Sequence, residues 1–109
     1  MQRYRFLLFG AAIQMIDDWE DLEKDLAVGH YSYVTLGFDR LDEIKDPKQA
    51  AQILRADKKR VQETYDVSKK MIAQSRAILA RLNETILVRL VDVTEARLDS
   101  FFNKELKLA

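Results

Sequence analysis

Residues 46 to 82 read DPKQAAQILRADKKRVQETYDVSKKMIAQSRAILARL, and this stretch decides the fold class. Asp46 followed by Pro47 marks a helix start, because aspartate caps free N–H groups and proline fits the first helical position. Apolar residues then recur at helical spacings of 7, 4, 7, 7 and 3 residues, at Leu54, Val61, Tyr65, Ile72, Leu79 and Leu82. We predict helix from Pro47 to about Leu82, with a break near Ala56 where Asp57 caps a second helix.

The flanking segments also have helical patterns. Toward the C terminus, Asn83 is a suitable cap for a last helix. That helix carries a broad apolar stripe at Ile86, Leu87, Leu90, Val91, Thr94, Leu98, Phe101 and Phe102. Toward the N terminus we predict a first helix over residues 2 to 26, ended by Gly29, and a loop or short helix over residues 29 to 45. One proline and three glycines favour long helices, so we predict an all-α helical bundle forming a single domain over residues 1 to 109.

Composition limits the classes of function. Charged residues make up 33% of the chain and the net charge is zero, so no overall field points to nucleic acid. Cysteine is absent, which excludes disulfides and thiol chemistry and fits a cytoplasmic location. The apolar run over residues 6 to 13 is too short to span a bilayer. We therefore predict a protein with no nucleic-acid partner and no transmembrane segment.

An acidic stretch lies near the end of the first predicted helix. Asp17, Asp18, Asp21 and Asp25 fall at about 0, 100, 40 and 80 degrees around an α-helix, and Gln14 falls at about 60 degrees. Like charges one turn apart repel each other, and a bound cation would remove that conflict. Clustered carboxylate oxygens are ligands that Mg²⁺ prefers. Trp19, at about 200 degrees, points away from the acids and is expected to pack in the core.

The spacing of this stretch resembles a known family motif. Gly10, three residues, Gln14, two residues and then Asp17-Asp18-x-x-Asp21 match the second aspartate-rich motif of the trans-isoprenyl diphosphate synthases, the polyprenyl synthetase family. The segment that follows, residues 25 to 32, resembles the family's Asp-Leu-x-x-Gly-Lys-x-Thr pattern, with His30 in place of the lysine. The resemblance covers residues 6 to 36, and the remainder matches only as a helical C-terminal region.

The resemblance implies a class I terpenoid synthase fold that transfers a prenyl group between an allylic diphosphate and isopentenyl diphosphate. It implies Mg²⁺ as cofactor, with Asp17 as a direct ligand and with Asp18 and Asp21 acting through further contacts or metal-bound water. Gln14 is expected near the substrate diphosphate. His30 takes the place of the family's diphosphate-binding lysine, and Lys24, nearby in the sequence, is a second candidate for that contact.

The chain carries one aspartate-rich motif, whereas the family carries two. The resemblance therefore implies the C-terminal portion of such an enzyme, inactive alone, whose partner is either the N-terminal half or a second copy. Two alternatives remain open at this stage. One is a small helical protein that self-associates or binds a partner without catalysis, through apolar residues of the first helix. The other is a portion of a terpene cyclase or squalene-type synthase.

Overall fold

Helices form all of the regular structure in the described part of the chain. The computed structural model describes residues 2–36, 44–83 and 85–108, with side chains from residue 10 onward. Its elements are α1 (Gln2–Glu20), α2 (Leu22–Ala27), a 3-10 turn (Tyr33–Thr35), α3 (Pro47–Ala56), α4 (Lys58–Arg81), α5 (Thr85–Ser100) and a π-helical turn (Phe101–Glu105). No strand occurs within these ranges, which confirms the prediction of an all-α fold.

The predicted caps set the limits of α3 and α4. The Asp46 carboxylate accepts a hydrogen bond from the Lys48 N–H at 3.1 Å, and α3 begins at Pro47. The Asp57 carboxylate accepts from the Arg60 N–H at 3.2 Å, and it separates α3 from α4. These short polar side chains satisfy N–H groups that have no partner inside a helix. Both predicted helix starts are confirmed.

Three places in the chain add detail to the sequence prediction. The first helix is interrupted at Asp21, so that α1 and α2 replace one helix over residues 2 to 26. Asn83, predicted as the cap of the last helix, has a φ of 55° and follows the end of α4; residue 84 lies outside the described part, and α5 is described from Thr85. The segment over residues 29 to 45, predicted as a loop or short helix, contains the 3-10 turn, and its residues 37 to 43 lie outside the described part.

Helix α1 packs against both α4 and α5, and α2 packs against α3. One contiguous core results, in which the described part of α1 buries Ala12, Met15, Ile16 and Trp19. Helices α4 and α5 contribute the buried residues Val61, Ile72, Leu79, Val91 and Leu98. The aspartate-rich end of α1 therefore lies on a helix that its neighbours hold on two sides.

Ion pairs join α4 to α5 along their length. Lys69 contacts Glu95 at 2.8 Å, and Arg76 contacts both Asp92 and Glu95 at 2.8 Å. The hydrogen bond from Lys69, with that from Arg76, holds the pKa of Glu95 below its ordinary value despite desolvation. Desolvation opposes the charge on Lys69, but its bonds to Glu95 and Asp99 raise its pKa overall. The order of these contacts shows that α4 and α5 are antiparallel.

Within the described ranges, every helix is too short or too polar to traverse a lipid bilayer.

Candidate functional site

The three aspartates of the motif differ in their exposure at the end of α1. The Asp17 side chain is 43% exposed, and Asp21 is also exposed. Asp18 retains only 8% of its accessible surface. The Asp21 N–H donates to the Asp17 carbonyl at 2.9 Å, so the two residues are one helical turn apart even though α1 has ended. Asp17 and Asp21 are thus two accessible carboxylate residues one helical turn apart.

Asp18 is held by a neighbour on its own helix. The Gln14 amide donates to an Asp18 carboxylate oxygen at 2.9 Å, one turn away. This hydrogen bond offsets part of the cost of removing the Asp18 carboxylate from water. Gln14 is exposed, and its amide is directed at Asp18 in this structure. The pairing leaves Asp17 and Asp21 as the carboxylates that an external ligand can reach most directly.

Trp19 anchors this end of α1 in the core. Its side chain is fully buried, and its indole N–H donates to the Thr64 hydroxyl at 3.0 Å. Its main-chain carbonyl accepts a bond from the Arg55 guanidinium at 2.8 Å. The expectation that Trp19 packs in the core is confirmed. Because Trp19 is fixed on both sides, the aspartates next to it in sequence are fixed as well.

The acidic surface is balanced by a cation from another helix. The Arg97 guanidinium of α5 contacts a Glu20 carboxylate oxygen at 3.0 Å and an Asp17 carboxylate oxygen at 3.5 Å. Arg97 and Glu20 are 77 positions apart in the sequence, so no local sequence pattern indicates this contact. Sequence reasoning missed Arg97 for that reason. In this structure its positive charge reduces the repulsion within the acidic stretch.

The other two candidate residues fall in different places. Lys24, on α2, lies with Asp21 in a cleft of about 390 Å³ between α2 and the start of α3, where Lys48 adds a second positive charge. His30 is exposed and is not part of that cleft. Its main-chain N–H donates to the Asp25 carbonyl at 2.8 Å, next to Gly29 with a φ of 74°. The structure therefore brings Lys24, but not His30, to Asp21.

The described residues do not form a complete metal site by themselves. Across residues 2–36, 44–83 and 85–108, no group of three or more His, Cys, Asp or Glu side chains is placed to hold a metal ion. The carboxylates present are all-oxygen donors, which fit Mg²⁺. Mg²⁺ commonly takes one or two carboxylates and completes its shell with water and phosphate oxygens. Asp17 and Asp21 are two carboxylate-bearing residues one helical turn apart.

Searches with protein-family models, among curated proteins and among solved structures found no match to this chain. The resemblance to the isoprenyl diphosphate synthases therefore depends on the motif in residues 6 to 36.

Proposed function

We propose that this chain supplies one aspartate-rich helix of a Mg²⁺-dependent site for an isoprenoid diphosphate, in the manner of the trans-isoprenyl diphosphate synthases. The observation that carries the proposal is the pair Asp17 and Asp21, two accessible carboxylates one turn apart on a helix end fixed by Trp19. Gly10 and Gln14 precede this pair in the sequence, and the segment ending at Gly29 follows it. This spacing supports the proposed function over an acidic surface without a specific ligand.

The residues take distinct roles in this proposal. Asp17 would hold Mg²⁺ directly, Asp21 would contact it directly or through water, and Asp18 would act from its buried position. Gln14 would keep Asp18 oriented, and Lys24 would contact the diphosphate from the cleft beside Asp21. The metal supplies neutralisation of the charge that grows on a diphosphate as it leaves. The chain's own contribution is to hold these groups in place before substrate binds.

Arg97 must be accommodated in the same proposal. Its contact with Asp17 is long and partly exposed, and such ion pairs contribute only about 0 to 1 kcal/mol. Mg²⁺ can therefore replace Arg97 at Asp17 at small cost, while the shorter contact with Glu20 keeps Arg97 on α1. A second set of carboxylates has to come from outside the described residues, either from another segment or from a second chain. We therefore expect binding, but no prenyl transfer, from residues 1 to 109 alone.

The test is a titration with Mg²⁺ and inorganic diphosphate, followed by NMR of the backbone amides. In the wild type we expect the amides of residues 17 to 25 to shift in a saturable manner when both components are present. Asp17→Asn should weaken binding at least about tenfold, the scale typical when metal-site partners are removed. Asp21→Asn should weaken it by a smaller factor.

The chain offers a matched control for these variants. On α4, Gln62 donates to Asp66 at 2.8 Å with the same spacing as Gln14 and Asp18, and Asp66 is exposed. Asp66→Asn should leave binding unchanged. Unaltered binding in Asp17→Asn, or equal weakening in Asp66→Asn, would contradict the proposal.

A second candidate function is self-association without catalysis, and a surface on α5 favours it. Ile86, Leu90 and Val93 lie one turn apart and are 75%, 46% and 66% exposed. An exposed apolar stripe of this kind is typical of interaction surfaces. From the sequence, this alternative depends on apolar residues of the first helix. The side chains of that helix before residue 10 lie outside the described part.

Light scattering tests the second candidate. If α5 is an interface, the wild type should have the mass of a dimer, and Ile86→Glu with Val93→Glu should yield the monomer. Val28→Glu is the matched control, because Val28 is 76% exposed on another surface. A wild type that stays monomeric at high concentration would exclude this candidate.

A further inference from the structure

A second cavity lies beside Glu20, between α1, α3 and the C-terminal end of α5. Its volume is about 550 Å³, within the range of about 300 to 1,000 Å³ that is common for small-molecule sites. Most of its described lining residues are polar or charged: Glu20, Arg55, Arg97, Ser100 and Glu105. Ile16 and Leu106 are almost fully buried, which leaves the half-buried Phe101 as the apolar side chain that a ligand can reach. This lining favours a small polar ligand.

Two arginines and two glutamates line the cavity, but they do not all form pairs. Arg97 and Glu20 are joined at 3.0 Å and neutralise each other. Arg55 donates to the neutral main-chain carbonyl of Trp19, and the Glu105 carboxylate has no hydrogen bond or ion pair to a described residue. Within the described part of the chain, the cavity thus has one cation and one carboxylate that no opposite charge neutralises.

Both of these charges are carried by parts of the chain that are fixed. Arg55 is half-buried, and its bond to the Trp19 carbonyl at 2.8 Å holds the guanidinium against α1. Glu105 is exposed, but it ends the π-helical turn and directly precedes the buried Leu106. The Lys58 ammonium group of α4 donates to the Leu106 carbonyl at 3.0 Å, which holds this turn on α4. Groups that are fixed beforehand lose less entropy when a ligand binds.

We propose that this cavity binds a small zwitterion with a carboxylate and an ammonium group at opposite ends of a short carbon chain. Arg55 binds the carboxylate, because a guanidinium has five N–H donors and matches a carboxylate through paired hydrogen bonds. Glu105 binds the ammonium group, and the short chain lies on the ring of Phe101. A ligand with a single charge would meet a like charge in the cavity, whereas a zwitterion matches both groups.

This inference stands independently of the proposed diphosphate site. Neither Asp17 nor Asp21 lines the cavity, and binding of the zwitterion requires no metal. Asp21 lies instead in the cleft between α2 and the start of α3. Asp21→Asn, which should weaken the binding of Mg²⁺ and diphosphate, should therefore leave the binding of the zwitterion unchanged.

The experiment is an NMR titration with 4-aminobutanoate in EDTA, so that no metal takes part. The Phe101 ring signals and the Arg55 side-chain N–H signals should shift in a saturable manner. The side-chain N–H signals of Arg76, which is paired with Asp92 and Glu95, should stay unchanged. Arg55→Gln, followed through the Phe101 ring, should weaken binding about tenfold, as expected for loss of a hydrogen bond between charged groups.

Glu105 supplies a test of sign. Glu105→Gln should weaken the binding of 4-aminobutanoate about two- to fivefold, a change typical of one exposed charge pair. Pentanoate, in which a methyl group replaces the ammonium group, should bind the wild type more weakly than the zwitterion does. It should bind Glu105→Gln more tightly than the wild type, because the repulsion from Glu105 is removed. A molecule that adsorbs without a defined orientation would not show these opposite responses.

Two variants outside the cavity are matched controls. Arg76→Gln removes another half-buried arginine, and Glu63→Gln removes another exposed glutamate. Both should bind 4-aminobutanoate like the wild type. Circular dichroism of each variant separates loss of binding from loss of fold.

Wild-type affinity in Arg55→Gln, or tighter binding of 4-aminobutanoate by Glu105→Gln, would overturn the proposal. Pentanoate that binds the wild type as tightly as 4-aminobutanoate would also overturn it. Saturable binding of 4-aminobutanoate in EDTA, without any response to Mg²⁺ and diphosphate, would support this cavity while contradicting the proposed metal site. The reverse outcome would leave the metal site supported and the cavity proposal wrong.

Discussion

Trp19→Ala is expected to lower the free energy of unfolding by about 3 to 5 kcal/mol, the range measured for removal of large buried aromatic residues. Trp19 is fully buried and is the largest of the fully buried side chains in the core. Removing it leaves a cavity at the contact between α1 and α4 and deprives the Thr64 hydroxyl of its indole partner. Small domains have total stabilities of about 5 to 15 kcal/mol, so this variant should be close to unfolding at 37 °C.

Two further variants separate volume from hydrogen bonding. Trp19→Phe keeps most of the volume and loses the bond to Thr64, whose hydroxyl still donates to the Val61 carbonyl at 2.9 Å. We expect a loss of about 1 to 2 kcal/mol for that change. Tyr31→Ala, on an aromatic residue that is 63% exposed, should stay within about 0.5 kcal/mol of the wild type.

Urea unfolding followed by far-UV circular dichroism measures all three variants without relying on tryptophan fluorescence. A loss below about 1 kcal/mol for Trp19→Ala would mean that the end of α1 is not fixed in the core. The rigid placement of Asp17 and Asp21, on which the proposed function depends, would then be untenable.

The parts of the fold that were predicted correctly are those with local causes. Asp46 and Asp57 cap helices through N–H groups two or three residues away, so a short window of sequence contains the whole interaction. The burial of Trp19 follows from helical periodicity, which places it opposite Asp17. Gly29 follows α2 with the positive φ that glycine adopts easily.

The parts that were missed depend on packing between distant segments. Arg97 reaches Asp17 and Glu20 only because α5 lies against α1.

The interruption of the first helix at Asp21 was also missed, and it is a local feature. It removes little backbone hydrogen bonding, since the Asp25 N–H still donates to the Asp21 carbonyl at 2.8 Å. A periodic pattern cannot reveal so small a deviation. Angular position alone could not predict that Asp18 is buried while Asp17 and Asp21 stay accessible.

The π-helical turn is another feature without a local signal. The sequence predicts that Phe101 and Phe102 face the core or an interface, and Phe102 is indeed fully buried. What the pattern does not show is the extra residue in this turn, seen in the bond from the Leu106 N–H to the Phe101 carbonyl at 3.2 Å. The wider turn shifts the residues that follow it around the helix axis, and Leu106 becomes part of the core. The cavity of about 550 Å³ that Phe101 and Leu106 line therefore depends on how this turn is anchored.

Phe102→Ala is expected to destabilise the protein by about 3 to 5 kcal/mol, because Phe102 provides that anchor. Its ring lies 5.2 Å from the ring of Tyr65 on α4 and meets the Phe101 ring edge-on at 5.7 Å. The Leu108 N–H also donates to the Phe102 carbonyl at 2.9 Å, which ties the last residues to this position. Loss of the ring therefore weakens both the core and the attachment of the π-helical turn to α4.

Phe101→Ala is the matched comparison, since Phe101 is the adjacent ring and is only half-buried. We expect it to cost less than Phe102→Ala in urea unfolding, because a half-buried ring removes less apolar surface from water than a fully buried one. A double-mutant cycle of Phe102→Leu with Tyr65→Leu should give a coupling of about 0.5 to 1.5 kcal/mol, typical of aromatic pairs. A greater loss of stability in Phe101→Ala than in Phe102→Ala would contradict the assignment of Phe102 as the anchor. It would also place the support of the cavity in its own wall rather than in the core behind it.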